Sequence, residues 1–159
     1  MLGILVAFAL PGTTDRPLEK IGPVAADSES SRHSWQRWVL NCQGCHRADG
    51  AGSPGATPAL RGNLAKFLAV PGGREYLVRV PGVASAPLRD AELAELLNWT
   101  LARFDPAHLP DEFHPFTAAE VRGLRRQPLR MEASTLRSRL LSGARSVTSN
   151  ASGGGGGAL

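Results

Sequence analysis

Hydrophobic positions along this chain recur mostly with helical spacing. Trp35, Trp38, Val39 and Cys42 repeat at i, i+3, i+4 and i+7, which predicts a helix from about Ser31 into Cys42 with Ser31 or Ser34 as its cap. A short helix is expected from about Leu64 to Val70, stopped by Pro71-Gly72-Gly73. Tyr76 to Val80 reads as either a helical turn or an extended piece, and Pro81-Gly82 breaks the chain again. The longest regular stripe is Leu93, Leu96, Leu97, Leu101 and Phe104, predicting a helix over Asp90 to Phe104 that Asp90 caps and Asp105-Pro106 ends. Thr117-Ala118-Ala119-Glu120 has the T-x-x-E form of a capping box and starts a last short helix.

The ends of the chain read differently. Leu2 to Leu10 is a nine-residue apolar run with the length of a signal-peptide core, and Ala7-Phe8-Ala9 offers a cleavage site, although no basic residue precedes Arg16. Residues 1–10 are therefore a candidate signal segment and 11–30, rich in Pro, Gly and Ser, a linker. Residues 31–129 make the expected domain with a C-terminal helical extension. From 130 to 159 the chain is rich in Arg, Ser and Gly, and a disordered tail is expected because so little apolar surface offsets its ordering entropy.

Composition narrows the fold class. The chain has 159 residues, enough for one domain. Gly 18 and Pro 12 imply long loops between helices, and aromatic residues are only 6 %. The expected fold is mostly α, a small helical domain. No run approaches the roughly 18 to 20 apolar residues of a membrane-spanning helix, so no membrane span is predicted. The net charge of +4 is misleading, because residues 27–121 net −2 and residues 122–159 net +6. A nucleic-acid-binding domain would carry its basic face on the folded part, so nucleic acid is not an expected partner.

The chemistry lies in Cys42-Gln43-Gly44-Cys45-His46, a C-x-x-C-H motif that reads as covalent c-type haem attachment. Two cysteines one helical turn apart can meet the two vinyl groups of one haem as thioethers, and the following imidazole can ligate the iron. Chance placement of both cysteines and the histidine in this order has odds of roughly three in ten thousand. A thioredoxin-like C-x-x-C would need a βαβ setting, and no alternating strand precedes Cys42. A structural zinc site would need four ligands, and His108 and His114 are six apart with no second cysteine pair.

On these residues the chain resembles the class I, mitochondrial-type monohaem cytochromes c over about Ser31 to Phe104. The shared features are a helix with aromatics entering C-x-x-C-H, then Asp49-Gly50-Ala51-Gly52, then Thr57-Pro58-Ala59-Leu60 in a Gly-rich loop, then a final helix. Arg74 to Gly82 also resembles small periplasmic cytochromes that accompany quinoprotein dehydrogenases. The resemblance implies one covalent haem c, with Cys42 and Cys45 holding it and His46 as proximal ligand. It also implies a Pro58 carbonyl that orients the imidazole, and a crossing of Trp35 and Trp38 against Leu96 and Trp99. Trp35, Trp38 and Trp99 are read as core packing more than as electron-relay residues.

The family usually supplies a methionine as sixth ligand before its last helix, where this chain has Ser85-Ala86-Pro87-Leu88. Met131, His108 and His114 are the remaining candidates for that ligand, and an open position is the alternative. The implied function is a periplasmic electron carrier, exported and soluble or loosely membrane-associated, passing single electrons between partners such as a dehydrogenase and a terminal acceptor. The alternatives are a haem enzyme or sensor with an open sixth position, and a haem subunit of a dehydrogenase complex.

Overall fold

The computed structural model describes residues 28–152 and contains, among these, seven α-helices and no strand. The apolar run Leu2 to Leu10, the linker up to residue 27 and residues 153–159 lie outside the described residues.

Helix α1 (Glu29–Asn41) starts two residues before the predicted point, because Ser28 supplies the cap: its Oγ accepts the Ser31 N–H at 3.1 Å. The expected caps are used otherwise. Ser31 and Ser34 are buried, and Ser31 Oγ accepts the indole N–H of Trp99 at 3.2 Å. A single turn, α2 (Gln43–His46), follows at once and carries the motif.

The segment predicted as a helix over Leu64 to Val70 is a 3-10 helix at Ala65–Ala69. Its first N–H, on Ala65, is taken by the carboxylate of Asp105 at 2.7 Å, so the segment is fixed from outside more than by its own ladder. The stretch Tyr76 to Val80, whose sequence fits a helical turn or an extended piece, belongs to helix α3 (Gly73–Arg79) up to its last residue. Pro81 opens α4 (Pro81–Ala84), where a missing N–H is harmless.

Helix α5 (Asp90–Phe104) has the predicted bounds but not the predicted cap. Arg89 holds the cap position, and the Glu92 carboxylate reaches back to accept the Arg89 N–H at 2.9 Å. Arginine carries no acceptor, so only this half of a capping box forms. Asp90 is freed to pair with Arg122 and Arg125 at 3.1 and 3.3 Å. In α6 (Ala118–Leu124) Thr117 Oγ1 caps as the motif predicts, accepting from the Glu120 N–H at 3.2 Å. The Glu120 side chain instead forms a two-pronged pair with Arg74, at 2.6 and 2.9 Å.

The clearest departure is at the C-terminus. Helix α7 (Ala133–Ser152) occupies much of the segment expected to be disordered from 130. Leu140 and Ala144 are buried, and Leu136 and Leu141 pack against the same core. Four apolar side chains of α7 therefore join the larger core, with the helix packed along the 3-10 segment, and their pattern outweighs the Arg- and Ser-rich composition around them.

Two apolar clusters result. The larger gathers Phe67, Tyr76, Val78, Leu93, Leu97 and Leu101 with Phe116, Val121 and the α7 residues. The smaller fills the α1/α5 crossing with Trp38, Leu96, Trp99 and Phe104. Trp38 lies 4.6 Å from Phe104 between ring centroids, and Trp99 meets Phe104 edge-on at 88°. Aromatic contacts of this kind contribute about 0.5–1.5 kcal/mol each beyond area burial. Trp35, expected in this crossing, is 55 % exposed instead, since it sits at the margin of the stripe and the seam with α5 is narrower than the apolar face.

Candidate functional site

Helix α1 leads directly into the motif. Cys42 N–H donates to the Trp38 carbonyl at 2.9 Å, which carries helical geometry up to the first cysteine, and His46 N–H donates to the Cys42 carbonyl at 3.0 Å. Cys42, Cys45 and His46 are thus held on one turn. Neither cysteine is in a disulfide; Cys42 is half-buried and Cys45 exposed. Burial, and secondarily the neighbouring Cys45, pushes the Cys42 thiol up to about 11, so the sulfur is kept in its neutral form.

The loop after His46 folds back beneath it. Arg47 takes φ 65° and reverses the chain. Gly50 and Gly52 then adopt φ 72° and 68°, a region that glycine enters without strain. Neither could carry a side chain: a Cβ on Gly50 would stand 2.7 Å from the Phe104 ring, and one on Gly52 would run into the Thr57 carbonyl oxygen. Gly52 N–H donates to the His46 carbonyl at 3.0 Å, and Ser53 and Thr57 exchange backbone hydrogen bonds at 2.8 and 2.9 Å. Leu60 N–H reaches the Gly50 carbonyl at 2.8 Å, and Gly62 N–H ties the loop to the Phe104 carbonyl at the end of α5.

This cradle sets the Pro58 carbonyl 3.1 Å from Nδ1 of His46. With Nδ1 donating there, the ring is fixed in one tautomer and its Nε2 lone pair is left available as a ligand. Burial is the larger influence on His46 and lowers its pKa below the ordinary 6.5, while the Pro58 bond opposes this by raising it. The ring is therefore neutral at pH 7, the form that binds a metal. Trp38 packs against it with centroids 6.1 Å apart. Leu60 and Leu88 touch both apolar clusters and supply greasy walls near the motif.

The other candidates have their contacts elsewhere. His108 Nδ1 pairs with the buried carboxylate of Asp105 at 2.5 Å. His114 is exposed, and its carbonyl accepts from Arg74. Met131 is 94 % exposed.

The stretch Ser85 to Leu88 is shaped by a residue that sequence reading does not single out. Arg125, the cap residue ending α6, sends its guanidinium to the carbonyls of Ala84, Ala86 and Leu88 at 3.1, 2.6 and 2.8 Å, and to Asp90. Ala86 is buried beneath this clamp. No local pattern reveals a residue acting 35 to 41 positions away. Asp105 is likewise hidden in the sequence, where it reads only as the end of α5.

The donor set fits haem c: two free thiols and a neutral imidazole whose second nitrogen is already engaged, on a single turn beside apolar walls. No protein-family model matches the chain. Cytochrome c-552 of Thermus thermophilus is 41 % identical over 106 residues, covering 55 % of this chain and 81 % of that protein. A second cytochrome c-552, from a named strain of the same organism, is also 41 % identical over 106 residues, covering 72 % of its length. The chain belongs to the family of these class I monohaem c-type cytochromes, which bind covalent haem c and are electron carriers, not enzymes.

Proposed function

We propose that this chain is a periplasmic cytochrome that carries single electrons between two protein partners, a dehydrogenase as donor and a terminal acceptor. In this reading Cys42 and Cys45 hold the haem by thioether bonds, His46 is the proximal ligand and the Pro58 carbonyl orients it. The observation that carries the assignment is the 3.1 Å contact between the Pro58 carbonyl and Nδ1 of His46, the residue that closes the helical turn carrying both cysteines.

When bound, haem c supplies a single-electron redox centre. The chain's residues do the rest. Cys42 and Cys45 tether, so that retention does not depend on how much polypeptide encloses the group. The Pro58 carbonyl accepts a hydrogen bond from Nδ1–H, which increases the basicity of Nε2 and sets the plane of the ring. Trp38 packs against the ring, with Leu60 and Leu88 beside it in the same apolar cluster, and a fixed setting lowers the reorganisation that accompanies a change in charge. Export is supported by the apolar Leu2–Leu10 run and the Ala7-Phe8-Ala9 cleavage pattern. No helix among the described residues is long and apolar enough to cross a membrane.

The assignment is tested by maturing the chain in the periplasm of a host with haem-attachment machinery. The wild type should carry one covalent haem and give a reversible one-electron wave in voltammetry. Cys42→Ser with Cys45→Ser should lose covalent attachment, and His46→Ala should keep the thioethers while the spectrum changes. A double cysteine variant that retains covalent haem would overturn the assignment.

A further inference from the structure

We infer that the groove at the N-terminal end of α1, where Ser31, Arg32 and Trp35 face Trp99, Arg103 and Pro106, is the docking surface for the acidic face of a redox partner protein. This rests on the electron-carrier reading above.

The groove encloses about 550 Å³ and opens to solvent, with Arg32, Trp35 and Pro106 exposed and Arg103 at its rim. Trp35 stands out in it at 55 % exposure, while the other two tryptophans are buried. A large aromatic left on the surface of a groove that two arginines also line has the composition of an interface anchor, since Trp and Arg dominate the residues that carry binding energy.

Charge along the α1/α5 seam identifies the partner's chemistry. Further along the seam the same two helices match arginine with carboxylate: Arg37 reaches Glu95 at 2.7 Å and Glu92 at 3.4 Å. At the groove that matching stops, and among the described residues neither Arg32 nor Arg103 meets a carboxylate. Two guanidinium groups that pair with no carboxylate among the described residues, beside an exposed indole, complement a surface that presents carboxylates around a protruding side chain.

The groove is also joined to the site. Its wall includes Trp99, fixed by the bond from its indole N–H to Ser31. Trp99 lies 6.3 Å from Trp38, and Trp38 lies 6.1 Å from His46. A partner seated in the groove thus lies over the wall residue Trp99, whose ring is joined through Trp38 to the imidazole.

The test uses the reduced holoprotein, full length, with 15N-labelled indoles, titrated at low salt with poly-L-glutamate as an acidic probe. The Trp35 indole signal should shift saturably, and the Trp38 signal should stay in place. Arg32→Glu with Arg103→Glu should weaken binding at least about tenfold, with the milder Arg32→Gln and Arg103→Gln pair intermediate. Arg126→Glu with Arg139→Glu makes the same change in net charge near α6 and on α7 and should weaken it less than about threefold. Trp35→Ala, which changes no charge, should also weaken binding. Equal losses from both arginine pairs, or an unmoved Trp35 signal at saturation, would overturn the proposal. The colour retained by the same samples after denaturation reports separately on haem attachment, so the two readings fail independently.

Discussion

Replacing Leu140 by alanine removes three carbon atoms from a side chain that α7 buries against the core formed with the 3-10 segment. At about 0.8 kcal/mol per buried carbon the lost transfer energy is about 2.4 kcal/mol. The site lies at the edge of the larger cluster, and Gly143, one turn along, already brings the α7 backbone near Val70: a Cβ at that glycine would stand 3.5 Å from the Val70 Cγ1. The helix can settle only slightly, so part of a cavity cost is added, for a total of about 2.5–3.5 kcal/mol. In a chain of this size that lowers Tm by roughly 6–10 °C. The neighbouring Arg139→Ala, on the exposed side of the same helix, should cost less than about 0.5 kcal/mol. Urea unfolding of the holoprotein, followed by far-ultraviolet circular dichroism, measures both. If Leu140→Ala cost no more than Arg139→Ala, α7 would not be part of the folded domain and the apolar stripe argument would be wrong.

Gly50→Ala combines a left-handed backbone with a Cβ 2.7 Å from the Phe104 ring, and should cost about 2–4 kcal/mol in the same denaturation assay. Arg125→Met leaves three carbonyls without their donor and should destabilise by about 2–4 kcal/mol; Arg125→Lys, lacking the planar fork, should recover less than half of this. The Arg89 side chain, with its backbone N–H and Arg37 assisting, holds the Glu92 carboxyl at about 2, below the ordinary 4.5. That contribution is complete above about pH 4.5 and is lost as pH falls toward 2, so the stability gap between wild type and Glu92→Gln should narrow over that range in acid titrations.

The residues that the sequence places well are those whose partners lie within a turn or two. The C-x-x-C-H spacing is fixed by a single helical turn, and the bounds of α5 follow from an unbroken stripe with a helix-ending Asp105-Pro106. Thr117 caps α6 because its partner is three residues away. Pro58 is reached only through family resemblance, since its bond to His46 depends on a loop that closes through Gly50, Gly52 and the Ser53–Thr57 bridge. Arg125 and Asp105 are invisible for the same reason: their targets are brought near by tertiary packing. Helix α7 is missed when composition is weighed ahead of periodicity, although Leu136, Leu140 and Ala144 mark the stripe. Trp35 departs from expectation because helical spacing gives a face but not how far the neighbouring helix covers it.

The central claim is tested most directly by unfolding the purified, periplasmically matured protein in acid and extracting it with organic solvent. The colour should remain with the polypeptide, and a tryptic peptide spanning Cys42 to His46 should carry the mass of one haem. If the pigment passes wholly into the solvent and that peptide has two free thiols, no thioether bonds formed and the account fails.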